Sequence, residues 1–223
     1  MRVVALNLSD SIGGAAKAAY RIHKAVTLAG VNSTLIVNRK GMVDESVVGL
    51  KSRFGTLFDK FRSGVGVLFS RTMRTPNADY HSAAIFPTSW SKRLARPEVD
   101  VVHLHWINGE MVSINDLGAM HKPLVWTLHD MWAFSGAEHY ARNFRWKDGY
   151  TKANRPADEV GFDLNRWAWN RKRKAWKKPI QIVTPSHWLA ECVRSSVLMS
   201  GWPVEIIPNP IDVAQWVPID KKT

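Results

Sequence analysis

Hydrophobic and polar positions follow two periods along this chain, and the changes from one to the other mark out strands and helices. "RVVALNL" (residues 2–8) is almost uniformly apolar, as a strand buried on both faces must be. "SDSIGG" interrupts it with turn-forming residues. Ala15, Ala18, Ala19, Ile22, Val26 and Ala29 then recur at helical spacing, while Lys17, Arg21 and Lys24 face away. "VNSTLIVN" (31–38) is a second strand and closes a βαβ unit. "DVVHLHW" (100–106), "PLVWTLHD" (123–130) and "IQIVTPS" (180–186) are three further β-rich runs ending in polar residues, and "VEIIPN" (204–209) is a sixth. Helices are expected near 88–95, 110–120 and 186–199, and the irregular, polar stretch 135–165 reads as a long loop. The alternation predicts one α/β domain with a Rossmann-like, doubly wound parallel sheet. Such sheets hold their ligands at the carboxyl ends of the strands.

Composition adds size and compartment to that picture. With 223 residues, 45% of them hydrophobic and 22% charged, the chain can bury one good core. No segment approaches 18 uncharged apolar residues, and "MRVVALNLSD" reaches Asp10 too soon for a signal peptide, so the expected location is cytoplasmic. Cys192, the only cysteine, sits in a predicted helix and reads as a small buried hydrophobe.

Chemistry-bearing residues gather at the predicted strand ends. Gly13 and Gly14 fall between the first strand and first helix, where bare backbone at the positive end of a helix suits phosphate; a plain tight turn explains the pair equally well. His103 and His105 share one face of a strand, and His129 and Asp130 end what should be the neighbouring strand, with Glu138 and His139 following. The cluster is compatible with a metal site, an acid/base group or hydrogen-bonding ligands for a polar substrate. No metal is expected, because no characteristic ligand spacing is present. His103 and His105 read first as packed, hydrogen-bonded strand-end histidines, and His129 as functional.

"GGAAKAAYRIHKAV", "DVVHLHW", "PLVWTLHDMWAFSGAEHY", "VTPSHWLAE" and "VEIIPNPIDVAQWVP" together resemble the N-terminal half of the retaining GT-B glycosyltransferases of family four, particularly bacterial enzymes of exopolysaccharide and colanic-acid-type assembly. The resemblance implies an acceptor-side domain over residues 1–208. It implies that 209–223 start a linker to a donor-binding domain, absent because the sequence stops at "VPIDKKT". The implied partners are a nucleotide-sugar donor and a glycan or lipid-diphosphate-linked acceptor, with no cofactor. Gly13 and Gly14 would lie near the donor diphosphate. His129 would reach the donor sugar with Asp130 beside it as the catalytic pair, and His105, Trp106, Trp132 and Glu138 would contact substrate. Trp132 and Phe134 would shape the cleft wall. The cysteine-rich insertion common in relatives after "HDMW" is missing, which argues against a metal or cluster in that loop.

Charge is unevenly distributed. The net charge of +12 resides in residues 51–74 and 164–178; everything else is balanced. In the first segment Phe54, Leu57, Phe58, Phe61, Val65 and Leu68 make one apolar helical face flanked by Arg53, Lys60, Arg62 and Arg71, the pattern of an interfacial helix or of an ordinary core-facing one. The second, "NRWAWNRKRKAWKK", interleaves Trp167, Trp169 and Trp176 with Arg171, Lys172, Arg173 and Lys174. Given the acceptors of the resembling enzymes, both are expected to meet an anionic membrane surface, peripherally on the inner face of the cell membrane. The alternatives are a nucleic-acid or anionic-surface binding module, without a recognised motif to support it, and a metal-dependent hydrolase built on the histidines.

Overall fold

In the computed structural model, which describes residues 1–49, 53–213 and 216–217, the chain opens with β1 (Arg2–Ser9) and α1 (Gly14–Leu28), then β2 (Asn32–Arg39) and β3 (Val47–Val48). α2 (Arg53–Ser70), β4 (Met73–Arg74) and α3 (Trp90–Leu94) follow, then β5 (Val101–Leu104), α4 (Ile114–Gly118) and β6 (Leu124–Thr127). The remainder is α5 (Arg145–Asp148), β7 (Val160–Gly161), α6 (Leu164–Ala175), β8 (Gln181–Thr184), α7 (His187–Ser195) and β9 (Val204–Ile206). The side chains of residues 53–56 lie outside the described set.

Seven strands form one parallel sheet in the order β3-β2-β1-β5-β6-β8-β9. The chain winds outward from β1 in one direction and from β5 in the other, so the order reverses between these neighbours, and the carboxyl ends of β1, β5 and β6 border that switch point. β1 is central and buried on both faces, with Val3, Val4, Ala5, Leu6 and Leu8 all inside, which is why it reads as a continuous apolar run. All six expected strands are present, and β3 adds a two-residue edge.

Local chemistry sets the element ends. The helix expected over 110–120 begins only at Ile114, because Gly109 and Glu110 both take a left-handed φ of 63° and Ser113 Oγ caps the first turn by accepting from Asp116 N at 3.0 Å. Ser186 Oγ does the same for α7, accepting from Leu189 N. α1 buries Ala16, Ala18, Ala19 and His23, and the His23 ring nitrogens are held by Ser33 Oγ and Ser46 Oγ, each at 2.9 Å.

The main core lies around β5, β6 and α6. Trp126, Trp132 and Trp176 meet edge to face there, with centroids 5.6–6.3 Å apart. Cys192 is buried in α7. The stretch 135–165, expected as a polar surface loop, is irregular but not superficial. Ser135 to His139 are buried, and Arg145 is sunk among Asp163 Oδ2 at 2.9 Å and Glu159 Oε2 at 3.4 Å, so the segment carries its own interior of paired charges. β7 pairs antiparallel with β4 and ties the segment to the end of α2.

Candidate functional site

The first two elements meet at the exposed Gly13 and Gly14. Gly13 has φ 91° and caps α1 without a side-chain hydrogen bond, so the first-turn amides point outward unclaimed by any cap. A Cβ at either glycine would meet nothing within 4 Å. The space in front of the helix is open to a ligand.

β5 and β6 deliver the histidines. His103 Nε2 lies 2.8 Å from Thr127 Oγ1, the His103 and His105 ring centroids lie 4.2 Å apart with the planes tilted by 38°, and His105 Nδ1 lies 3.2 Å from His129 Nε2. Burial pushes the pKa of His103 and of His129 down to about 4, and for His129 this outweighs the pull of Asp130. His105 is driven well below its ordinary value by burial and then by His103 and His129. All three are therefore neutral at pH 7. His105 Nε2 is buried without a partner, which corrects the expectation of a satisfied histidine; it touches His129, not the open cleft. His129 spends Nε2 on His105, and its Nδ1 has no partner among the described residues. The ring is half-buried and does not line the cavity described below, and as a neutral imidazole its Nδ1 can give or accept one hydrogen bond.

Asp130 is a hub. Its Oδ2 accepts from Trp106 Nε1 at 2.8 Å and from His139 Nδ1 at 2.5 Å, and its Oδ1 accepts from Trp132 N at 2.9 Å. Burial alone would raise its pKa, but His139 and these hydrogen bonds outweigh that and hold it below the usual value. Ser82 Oγ sits 2.9 Å from His139 Nε2, so Ser82, His139 and Asp130 connect in the order of a hydrolase triad. The serine is buried and does not line the neighbouring cavity, so no substrate carbonyl can reach it. The network orients Trp106, which Asn7 Oδ1 also fixes through Trp106 N at 2.8 Å.

In front of this network opens a cavity of about 980 Å³, roofed by Ser63, Gly64, Val67 and Leu68 of α2 and walled by Tyr80, Trp106 and Tyr140. Arg39, Arg71 and Asp79 complete its edge, and Ile12 joins it to the glycine turn. Tyr80 and Tyr140 escaped sequence reasoning because they come from segments with no strand-end motif, and Arg39, which ends β2, because a lone arginine there carries no pattern. Only the fold brings them together.

Several expected site residues lie elsewhere. Trp132 and Phe134 do not shape a wall: both are buried in the core, and Trp132 Nε1 donates to Ser82 O at 3.0 Å. Glu138 is also buried, accepting from the Tyr150 hydroxyl through Oε1 while Oε2 has no partner. It contacts no open space.

Of the basic residues, Lys172 is fully buried, so it cannot meet an anionic surface; its Nζ donates to the carbonyls of Trp132, Ser135 and Gly136 and lies 3.8 Å above the Trp132 ring. Arg171 is half-buried and donates to Ala83 O and Ala84 O at 2.9 and 3.1 Å. Arg62 turns inward to Glu110 O at 2.5 Å. Lys60, Arg71, Arg173 and Lys174 are exposed, and the Arg53 side chain lies outside the described residues. Trp169 and Trp176 are buried and so are not stacking platforms; Trp167 is half-buried, with the Arg171 guanidinium 4.5 Å and the Phe69 ring 5.4 Å from its own ring, which leaves that segment little aromatic surface for bases. In α2 most of the apolar stripe faces outward: Leu57, Phe58 and Phe61 are each 60–67% exposed, while Leu68 lines the open cavity. No described helix is long and apolar enough to cross a membrane. Among the described residues, no group of three or more His, Cys, Asp or Glu side chains could hold a metal ion.

Comparison with known proteins agrees with this fold. Residues 12–215 match the family model described as Glycosyltransferase Family 4. No curated protein matches the chain.

Proposed function

The chain belongs to glycosyltransferase family 4, its match spanning nearly the whole sequence, and from that premise we propose that it is the acceptor-side half of a retaining GT-B enzyme. Residues 1–208 would form this half and 209–223 would lead to a second Rossmann-like domain that binds the nucleotide sugar. The enzyme moves a sugar from that donor to a glycan or lipid-linked acceptor of a bacterial surface polysaccharide. No cofactor takes part. The observation that carries the reading is His129, held by His105 just beyond the end of β6, with Nδ1 unpartnered among the described residues at the carboxyl ends of the strands. A neutral imidazole fixed in this way is a preorganised partner for a donor-sugar hydroxyl, and the amides after Gly13 suit the diphosphate. Asp130 acts by orienting Trp106 and the turn that bears His129.

The exposed stripe of α2 supports a peripheral membrane location, since the helix borders the cavity with one face and offers Leu57, Phe58 and Phe61 to the outside. The test joins the chain to its donor-binding half and measures acceptor-dependent nucleotide release over a range of sugar nucleotides. His129→Ala is expected to cost about 2–4 kcal/mol in kcat/KM, the range for one preorganised partner, and separately about 1–3 kcal/mol in urea unfolding, because it leaves the buried His105 Nδ1 unpaired. An undiminished rate would remove His129 from the mechanism, and a joined protein that releases no nucleotide from any sugar nucleotide would remove the transferase reading.

A further inference from the structure

The large cavity has a polarity that the transferase reading does not require. Arg39 ends β2, Arg71 immediately follows α2, and both are exposed on the cavity edge. Neither makes an ion pair among the described residues, whereas Arg145, Arg155, Arg166 and Arg194 all do. Asp79 is the one carboxylate on the cavity edge, while Asp130 in the wall is spent on Trp106, His139 and Trp132 N. The two guanidinium groups therefore outnumber the available acid. The same cavity has an aromatic wall: the Tyr80 ring lies 6.0 Å from Trp106 and 5.1 Å from His139, and Tyr140 is fixed through its hydroxyl to His129 O at 3.3 Å. Flat, amphipathic rings and unpaired planar donors lining one cavity suit a molecule that carries both a sugar ring and an anion.

We propose that this cavity binds an anionic saccharide, with its phosphoryl or carboxylate group between Arg39 and Arg71 and its ring against Tyr80 and Trp106. The inference rests on the reading of the cavity as the acceptor side and adds the acceptor's charge. Arginine matches both anions because its fork of N–H donors pairs with two oxygens at once, and an unpaired guanidinium needs no partner displaced before it binds.

Titration of the isotope-labelled chain with glucose 1-phosphate, glucuronic acid and glucose, followed by NMR, provides the test. Shifts are expected at Trp106, Tyr80 and Tyr140 with at least one of the two anions, and glucose should bind at least about ten-fold more weakly. The arm that binds more tightly identifies the anion as phosphoryl or carboxylate. Arg39→Gln or Arg71→Gln should each weaken the anionic sugar about ten-fold or more, while Lys92→Gln with Arg96→Gln, two exposed cations outside the cavity, should not. The inference is overturned if glucose binds as tightly as both anions, if the control pair loses as much affinity as either cavity arginine, or if no probe shifts the cavity residues. Nucleotide release by the joined enzyme is read separately: if it persists while the cavity ignores charge, only this inference falls.

Discussion

Lys172 shows at the scale of one residue how far a side chain's surroundings can depart from its type. An ammonium group pays heavily to leave water, and here three carbonyls and a tryptophan face replace the water it lost, while burial pushes its pKa well below the ordinary value. Lys172→Met keeps the stem and removes the donors, leaving the carbonyls at 132, 135 and 136 without them, and is expected to cost about 3 kcal/mol or more in urea unfolding. Arg173→Ala, one position on and exposed, should change stability by no more than about 0.5 kcal/mol. The histidines give the chain a pH dependence of definite sign. His103 and His129 bind protons near pH 4 when folded but near 6.5 when unfolded, so between these values the unfolded chain holds more protons and stability rises with pH. Stability should be full above pH 6.5 and decline as pH falls toward 4, with each displaced unit worth about 1.4 kcal/mol. Urea midpoints at pH 7, 5.5 and 4.5 check this, and His103→Asn should flatten the slope.

Two glycines with opposite surroundings make the point at the scale of elements. Gly118 ends α4 where it packs on α6, and a Cβ there would lie 2.5 Å from the Ala175 carbonyl oxygen, a backbone atom that cannot step aside. Gly118→Ala should therefore destabilise by about 1–3 kcal/mol. Gly14, the first residue of α1, has open space around its Cα and no left-handed φ, so Gly14→Ala should raise stability by about 0.4–1 kcal/mol through the unfolded chain, even while it crowds the diphosphate approach. Parallel urea curves for the two variants test both signs. α2 is the element whose pattern was legible and whose orientation was not. Its periodic apolar stripe marked a helix, but the inner face is made of Asp59, held by Asn38 at 2.5 Å, Arg62, Ser63 and Gly66, and most of the stripe looks outward. Gly66 is needed for that seating, because a Cβ would meet Glu110 at 2.8 Å.

The basic surplus and the exposed apolar stripe act together at the scale of the whole molecule. The net charge of +12 alone would draw the protein to any anionic surface at low salt, so salt-sensitive sedimentation with vesicles does not separate a membrane face from general attraction. Phe58→Ser with Phe61→Ser separates them without changing the charge. If α2 enters the headgroup layer, this variant should bind vesicles containing anionic lipid at least about ten-fold more weakly, since each buried phenylalanine contributes about 1.5–3 kcal/mol. Equal sedimentation of the variant and the parent protein would leave only general electrostatic attraction.

The strands, their parallel arrangement and the placing of His129 and the glycine pair were determined by the sequence itself, because burial on both faces of a parallel sheet demands uninterrupted apolar runs and such sheets end where ligands bind. Local pattern carries this information, and it survived intact. The roles of single polar and aromatic side chains were not carried that way. "HDMWAF" looks like a cleft wall when read along the chain, yet Trp132 and Phe134 turn into the core while Trp106, from the neighbouring strand end, takes the wall. "NRKRKAWKK" looks uniformly cationic and exposed, yet helical spacing points Lys172 inward and Arg173 outward. Arg39, Arg71 and Tyr80 share a cavity although they are distant in sequence, and no periodicity links them. Hydrophobic pattern fixes which face of an element is buried when the partner is the core. Which polar groups meet across space depends on how strands, turns and α2 are placed against each other, and only the tertiary structure decides that.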